Sequence, residues 1–178
     1  IFLSLVGQQP SATALLLKSW SAEKGAPATI RLLATEAVQR NGAAQRLLQF
    51  CKTVAPAADC QIVSIAPELK DTHLPSATTW VSTFLNEQGQ TCKLIFAADP
   101  GPSFLVAAVT RLLPPDAVLL HADSDCCWAF TRWNGEEAWS ILPSQNLGME
   151  ALLALYDLQQ VQSSSDLHPL LERAIAQL

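Results

Sequence analysis

Positive charge is scarce in this 178-residue chain: 11 Lys and Arg stand against 16 Asp and Glu, for a formal net charge of -5. Broad electrostatic binding to DNA or RNA draws on clustered Lys and Arg that displace counterions, so the balance argues against a duplex-binding role. A small anion held by backbone amides is still allowed. Long apolar runs are missing as well. No stretch approaches the roughly 20 residues that a membrane-spanning helix needs. The apolar opening Ile1 to Val6 is too short, and lacks the charged flank, to serve as a signal peptide. A cytoplasmic protein without a membrane partner is the expectation.

Other absences narrow the chemistry. Cys51, Cys60, Cys92, Cys126 and Cys127 are odd in number and never in C-x-x-C spacing. Neither a disulfide framework nor a zinc knuckle is indicated, and buried reduced thiols are expected. His121, Asp123, Asp125 and Cys126 form a run that alternates along a strand and its exit loop, which is no defined ligand set, so no metal site is assigned. The G-x-G-x-x-G fingerprint and the Walker G-K-[ST] element are both lacking, so no dinucleotide or other cofactor is assigned. His73, His121 and His168 lie where periodicity does not bring them together, and no Ser-His-Asp or Cys-His arrangement can be built. No catalytic residue is assigned.

What is present is a regular alternation. The composition is 49% hydrophobic, enough for one domain with a sizeable core. Ile1 to Val6 reads as a strand buried on both faces. It breaks at Gly7-Gln8-Gln9-Pro10-Ser11 into a helix that Ser11 is placed to cap. Thr29 to Thr35 is strand two, entered through Gly25-Ala26-Pro27, and Glu36 to Val54 has the spacing of one amphipathic crossover helix. Cys60 to Ile65, Thr91 to Ala97 and Ala117 to His121 are the next strands, with helices over Pro75 to Asn86 and Phe104 to Leu113 between them. Cys127 to Trp133 and Glu137 to Leu142 flank Asn134-Gly135, a type I′ hairpin signal. Trp128, Trp133 and Trp139 surround that hairpin, as cross-strand aromatic pairing or as a surface for a base or a dimer seam. A helix from Met149 to Leu158 and another from Leu167 to Gln177, capped by Asp166, end the chain. The fold class is α/β: a Rossmann-like, doubly wound, mostly parallel sheet with a C-terminal β-hairpin and terminal helices.

Such a sheet holds its ligand beyond the carboxyl ends of the strands, where strand order reverses. Two loops fit that place. One is Gly7, Gln8, Gln9, Pro10 and Ser11 after strand one. The other runs from Ala98 through Asp99 and Gly101 to Ser103 after strand four. Glu36, just after strand two, can act as a base or hold a ribose hydroxyl, and its first-turn position equally makes it a partner of the helix dipole.

The layout resembles the CRISPR-associated Rossmann-fold (CARF) domain, the sensor module of type III CRISPR ancillary effectors. Leu5-Val6-Gly7-Gln8-Gln9-Pro10 is similar to the Val-Gly-x-x-Pro opening of the two-domain CARF nucleases. The five alternating strands, the hairpin and the Gly148-Met149-Glu150-Ala151-Leu152-Leu153-Ala154-Leu155-Tyr156 helix resemble that subgroup's passage from sensor to effector. The resemblance implies a sensor domain over residues 1–145 and a helical tail or connector over 146–178. It implies a homodimer enclosing a cyclic oligoadenylate, with tetra- and hexa-adenylate favoured, and an allosteric signal to an effector in antiviral defence. Those residues of the two loops, with Thr35 and Glu36, are the ligand contacts it implies. Ring cleavage by the ligand's own ribose hydroxyl, positioned by Thr35, Ser11 and Gln8, stays open beside a chain with no catalysis, since no general base is evident. The chain departs from the family at one turn. Ala98-Asp99-Pro100-Gly101-Pro102 stands in place of Thr-Gly-Gly-Thr-Lys, which removes a lysine, brings in a carboxylate and deletes two amide donors. A degenerate scaffold for dimerisation or partner docking is therefore the alternative.

Overall fold

The computed structural model describes residues 1–7, 10–66, 74–88, 93–98, 101–123, 126–133, 136–143 and 145–157. The elements run β1 (Phe2–Val6), α1 (Pro10–Lys24), β2 (Thr29–Ala34), α2 (Glu36–Arg40), α3 (Ala43–Val54), β3 (Asp59–Ser64), α4 (Leu74–Glu87), β4 (Ile95–Ala97), α5 (Ser103–Leu112), β5 (Val118–Ala122), β6 (Cys127–Trp133), β7 (Glu136–Leu142) and α6 (Met149–Leu155). They build one sheet in the order β3-β2-β1-β4-β5-β6-β7, with the first five strands parallel and the last two antiparallel. This is the doubly wound α/β sheet that the alternation predicts.

Two apolar clusters sandwich the sheet. On one face Phe2, Val6, Ile30, Leu32 and Leu120 pack against Leu16 and Leu17 of α1, Leu47 of α3 and Leu155 of α6. On the other, Leu3, Leu5, Leu33 and Phe96 meet Val81 and Phe84 of α4 and Leu105 and Val109 of α5. Every residue of β1 is buried, as a central parallel strand with helices on both faces requires. The hairpin joins with Trp133 opposite Glu136; Trp139 finds an aromatic partner across the strands, but it is Phe130, tilted with ring centroids 4.5 Å apart, rather than another tryptophan, and Trp128 stands opposite Ile141.

Some expectations shift. The crossover helix over Glu36 to Val54 is two helices, because Gly42 takes a φ of +76° and Asn41 Oδ1 accepts the Ala43 amide at 2.9 Å, starting α3 anew. Ser11 does not cap α1: the helix already includes Pro10, whose fixed φ and missing amide suit a first helical position. Among the described residues strand four is Ile95–Ala97, and Thr91 and Cys92 of the expected strand lie outside them. Cys51 and Cys127 are buried, Cys60 and Cys126 half-buried, all four as free thiols, while Cys92 lies outside the described residues. The Asn134-Gly135 turn and the helix over Leu167 to Gln177 also lie outside them.

Candidate functional site

The site is built by topology. From β1 the chain winds through α1 to β2 on one side, and from β3 it returns through α4 to β4 on the other, so strand order reverses between β1 and β4. Helices α1 and α5 therefore begin at the same edge of the sheet, with their amino ends toward the crevice between those strands. Neither carries an acidic residue in its first turn, whereas α2 has Glu36 and α6 has Glu150 there. The positive ends of the α1 and α5 dipoles are thus unneutralised within their own first turns, the arrangement that favours an anion.

The two loops meet. A Cβ built on Gly101 would lie 2.5 Å from Leu5 Cβ, so the second loop folds back onto the buried strand that feeds the first. Only a residue without a side chain allows that approach. Gly7 directly follows β1, and Ala98 directly follows β4 with its amide donating to Leu120 O at 3.0 Å. Below the first loop, Ser4 of β1 and Thr13 of α1 share a fully buried hydrogen bond of 2.8 Å, which fixes the start of α1 against its strand. Pro102 precedes α5 without a capping side chain, and Ser103 is exposed as the helix's first residue.

The sequence-assigned residues divide into three groups. Gly7, Pro10, Ser11, Ala98, Gly101 and Ser103 stand around the switch point on the elements just described. Gln8, Gln9 and Asp99 lie outside the described residues. Thr35 and Glu36 sit at the end of β2, one strand away, and both are engaged. Thr35 Oγ1 accepts the Val38 amide at 3.5 Å as the cap of α2, and Glu36 binds Arg40 at 2.9 Å across one exposed helical turn. The dipole-partner reading of Glu36 thus has a geometric basis.

Two residues escaped the sequence reading. Gln39 of α2 donates to Ala34 O at 3.1 Å and Ser64 Oγ at 3.0 Å, tying the ends of β2 and β3 together. Tyr156, just after α6, shares a 2.8 Å hydrogen bond with Ser11, 145 residues earlier. A contact between such distant side chains leaves no periodic signal.

Among the described residues no group of three or more His, Cys, Asp or Glu is placed to hold a metal ion, and no helix is long and apolar enough to cross a membrane. Burial, then the neighbouring Cys60, pushes the Cys51 thiol up to about 12, leaving a protonated, inert group. Two hollows of about 300 and 290 Å³ lie along the hairpin, one between the end of α5 and Phe130, the other between His121, Trp128 and Trp139.

No protein-family model and no curated protein sequence matches the chain. Solved structures do match in fold. A type III CRISPR defence DNA nuclease activated by cyclic oligoadenylate superposes with a TM-score of 0.58 at 16% identity, over 86% of this chain and 22% of that one. Can2 from Sulfobacillus thermosulfidooxidans, in complex with cyclic tetra-adenylate, gives 0.59 at 16% identity, over 87% of this chain and 40% of that one. Enterococcus italicus Csm6, bound to cyclic hexa-2'-fluoro-hexa-dAMP, gives 0.57 at 12% identity, over 69% and 33%. The chain spans less than half the length of each.

Proposed function

From the CARF-like fold shared with those structures, we propose that the chain is a ligand-sensing domain that binds a cyclic oligoadenylate in the crevice between β1 and β4, as a homodimer in the cytoplasm. Its signal controls an effector of type III CRISPR defence. The observation that carries this reading is the seat of Gly101, from the loop after β4, on Leu5 of β1, beside two helix amino ends free of first-turn carboxylates. A ring of phosphates presented at the two-fold axis of a dimer is met by the same loops from both subunits, which isologous pairing supplies. Each subunit then contributes Ser11, Ser103 and the Gly7 and Ala98 backbone, with Gln8 and Gln9 adjoining. Thr35 and Glu36 line the ribose side. No duplex DNA or RNA is bound by the domain itself.

The test is thermal melting of the purified chain with cyclic tri-, tetra- and hexa-adenylate, linear adenylates and cyclic dinucleotides. A ligand at about 100 times its Kd adds roughly 2.7 kcal/mol. A rise in Tm with one ring size alone supports the sensor and names its signal. Substituting Gln9→Ala or Ser11→Ala is expected to weaken that binding by roughly 1 to 2 kcal/mol, the worth of one or two hydrogen bonds to a charged group. Unchanged isotherms for both variants would remove these residues from the site.

A second reading has its own observation. Pro102 stands at the start of α5 with neither an amide nor a capping side chain to offer a phosphate, and Pro100 adds a second missing donor. A scaffold used for dimerisation or partner docking predicts a dimer whose Tm ignores every cyclic nucleotide.

A further inference from the structure

Helix α6 is short and lightly seated. Of its residues only Leu155 is buried, and Met149 at its start is exposed. Three polar contacts hold the segment to the helices beneath it. Lys18 Nζ of α1 donates to Asn146 O at 2.6 Å, Arg46 Nε of α3 donates to Leu155 O at 2.9 Å, and Tyr156 shares its hydroxyl with Ser11 at 2.8 Å. Only the last of these reaches the first turn of α1, at the edge of the crevice.

We propose that Tyr156 is a positioning residue for the ligand site: its phenol orients the Ser11 hydroxyl toward the ligand and couples occupancy of the crevice to the seating of α6. The inference rests on the cyclic oligoadenylate reading. Its chemistry follows from the two groups. The phenol is the more acidic hydroxyl and the better donor, so the favoured arrangement has Tyr156 Oη donating to Ser11 Oγ. Serine carries one proton and two acceptor lone pairs, and with a lone pair so used its own O–H is free to donate outward. A phosphate oxygen or ribose oxygen in the crevice would accept that proton. Each bond in such a chain polarises the next, so an anionic acceptor at one end tightens the Tyr156 bond at the other. By reciprocity, whatever the phenol adds to ligand affinity the ligand returns to the docking of α6. The other two contacts lie on Lys18 and Arg46, further from the loop, so they hold α6 whether or not the crevice is filled.

The experiment is a double-mutant cycle on the whole chain. Cyclic tetra-adenylate and cyclic hexa-adenylate are titrated by calorimetry into the wild type, Tyr156→Phe, Ser11→Ala and the double variant. Amide exchange over residues 149–157 is followed with and without ligand. Phenylalanine keeps the ring and removes only the hydroxyl. It is expected to weaken binding about threefold to tenfold, in keeping with the net worth of one hydrogen bond. The double variant should bind no worse than Ser11→Ala alone. Ligand should slow exchange across α6 in the wild type and leave it unchanged in Tyr156→Phe. Wild-type affinity in Tyr156→Phe, full additivity of the two losses, or exchange in α6 indifferent to bound ligand would each overturn the coupling while leaving the sensor reading intact. A wild type that binds neither ring overturns the sensor reading itself, and the coupling with it.

Discussion

The parallel strands β1, β2 and β4 and the antiparallel hairpin β6-β7 belong to one sheet but live in different surroundings. Along β1 both faces are covered, by α1 and α3 on one side and α4 and α5 on the other. Along the hairpin, among the described residues, the face of Cys127, Ala129 and Leu142 joins the core. The opposite face leaves Trp139 60% and Ile141 62% exposed. The difference separates two jobs that a single sheet performs. Its parallel part supplies stability and a fixed platform for the switch point, and its hairpin supplies surface.

That contrast can be broken or sharpened by measurement. The largest effect is expected from Phe2→Ala in the fully buried platform, about 3 to 5 kcal/mol of stability in chemical denaturation. A loss under 1 kcal/mol would deny the platform its role. Gly101→Ala comes next. Its new methyl meets Leu5 Cβ, an atom fixed to a buried strand rather than the end of a flexible side chain, so about 1 to 3 kcal/mol is expected. The same variant should lose affinity for any ligand of the crevice, and a fully stable, fully competent Gly101→Ala would show that Gly101 does not seat on Leu5 as described.

Cys51 gives the contrast a pH signature. Its thiol shifts from the ordinary 9.0 to about 12 in the folded chain through burial. The unfolded chain therefore releases this proton first. The stabilisation is complete below pH 9 and declines between pH 9 and 12, by roughly 1.4 kcal/mol for each pH unit. Denaturation midpoints should fall over that window in the wild type and fall less steeply in Cys51→Ala. The smallest effects belong to the hairpin. Trp139→Ala should cost about 1 kcal/mol, the worth of its pairing with Phe130, and Ile141→Thr no more than about 0.5 kcal/mol. Larger losses at these positions in a dilute monomer would mean that the hairpin bears on the core after all.

How far this was legible in the sequence follows from range. Local signals carried the alternation and the hairpin, because each rests on periodicity or on a turn dipeptide that acts over a few residues, whereas the reversal of strand order followed from the fold class. Asn41-Gly42 was equally local and marks the break between α2 and α3, but the apolar spacing on either side continues through it and masks the stop. Pro10 and Ser11 competed for the start of α1, and the proline's pre-set φ carried the helix past the serine. The switch-point residues Gly7, Gly101 and Ser103 could be named from the fold class. Tyr156 could not, since its partner is 145 residues away and the pair is defined only once α6 has packed across α1 and α3.

The seat of Gly101 on Leu5 has one more consequence. With no side chain between them, the backbone of one loop rests on the side chain of the strand that feeds the other, like two plates of a joint with no washer. The Gly101 backbone cannot move toward β1 without displacing Leu5. The chemistry of the turn around Gly101 is free to vary only so far as it keeps that bearing intact.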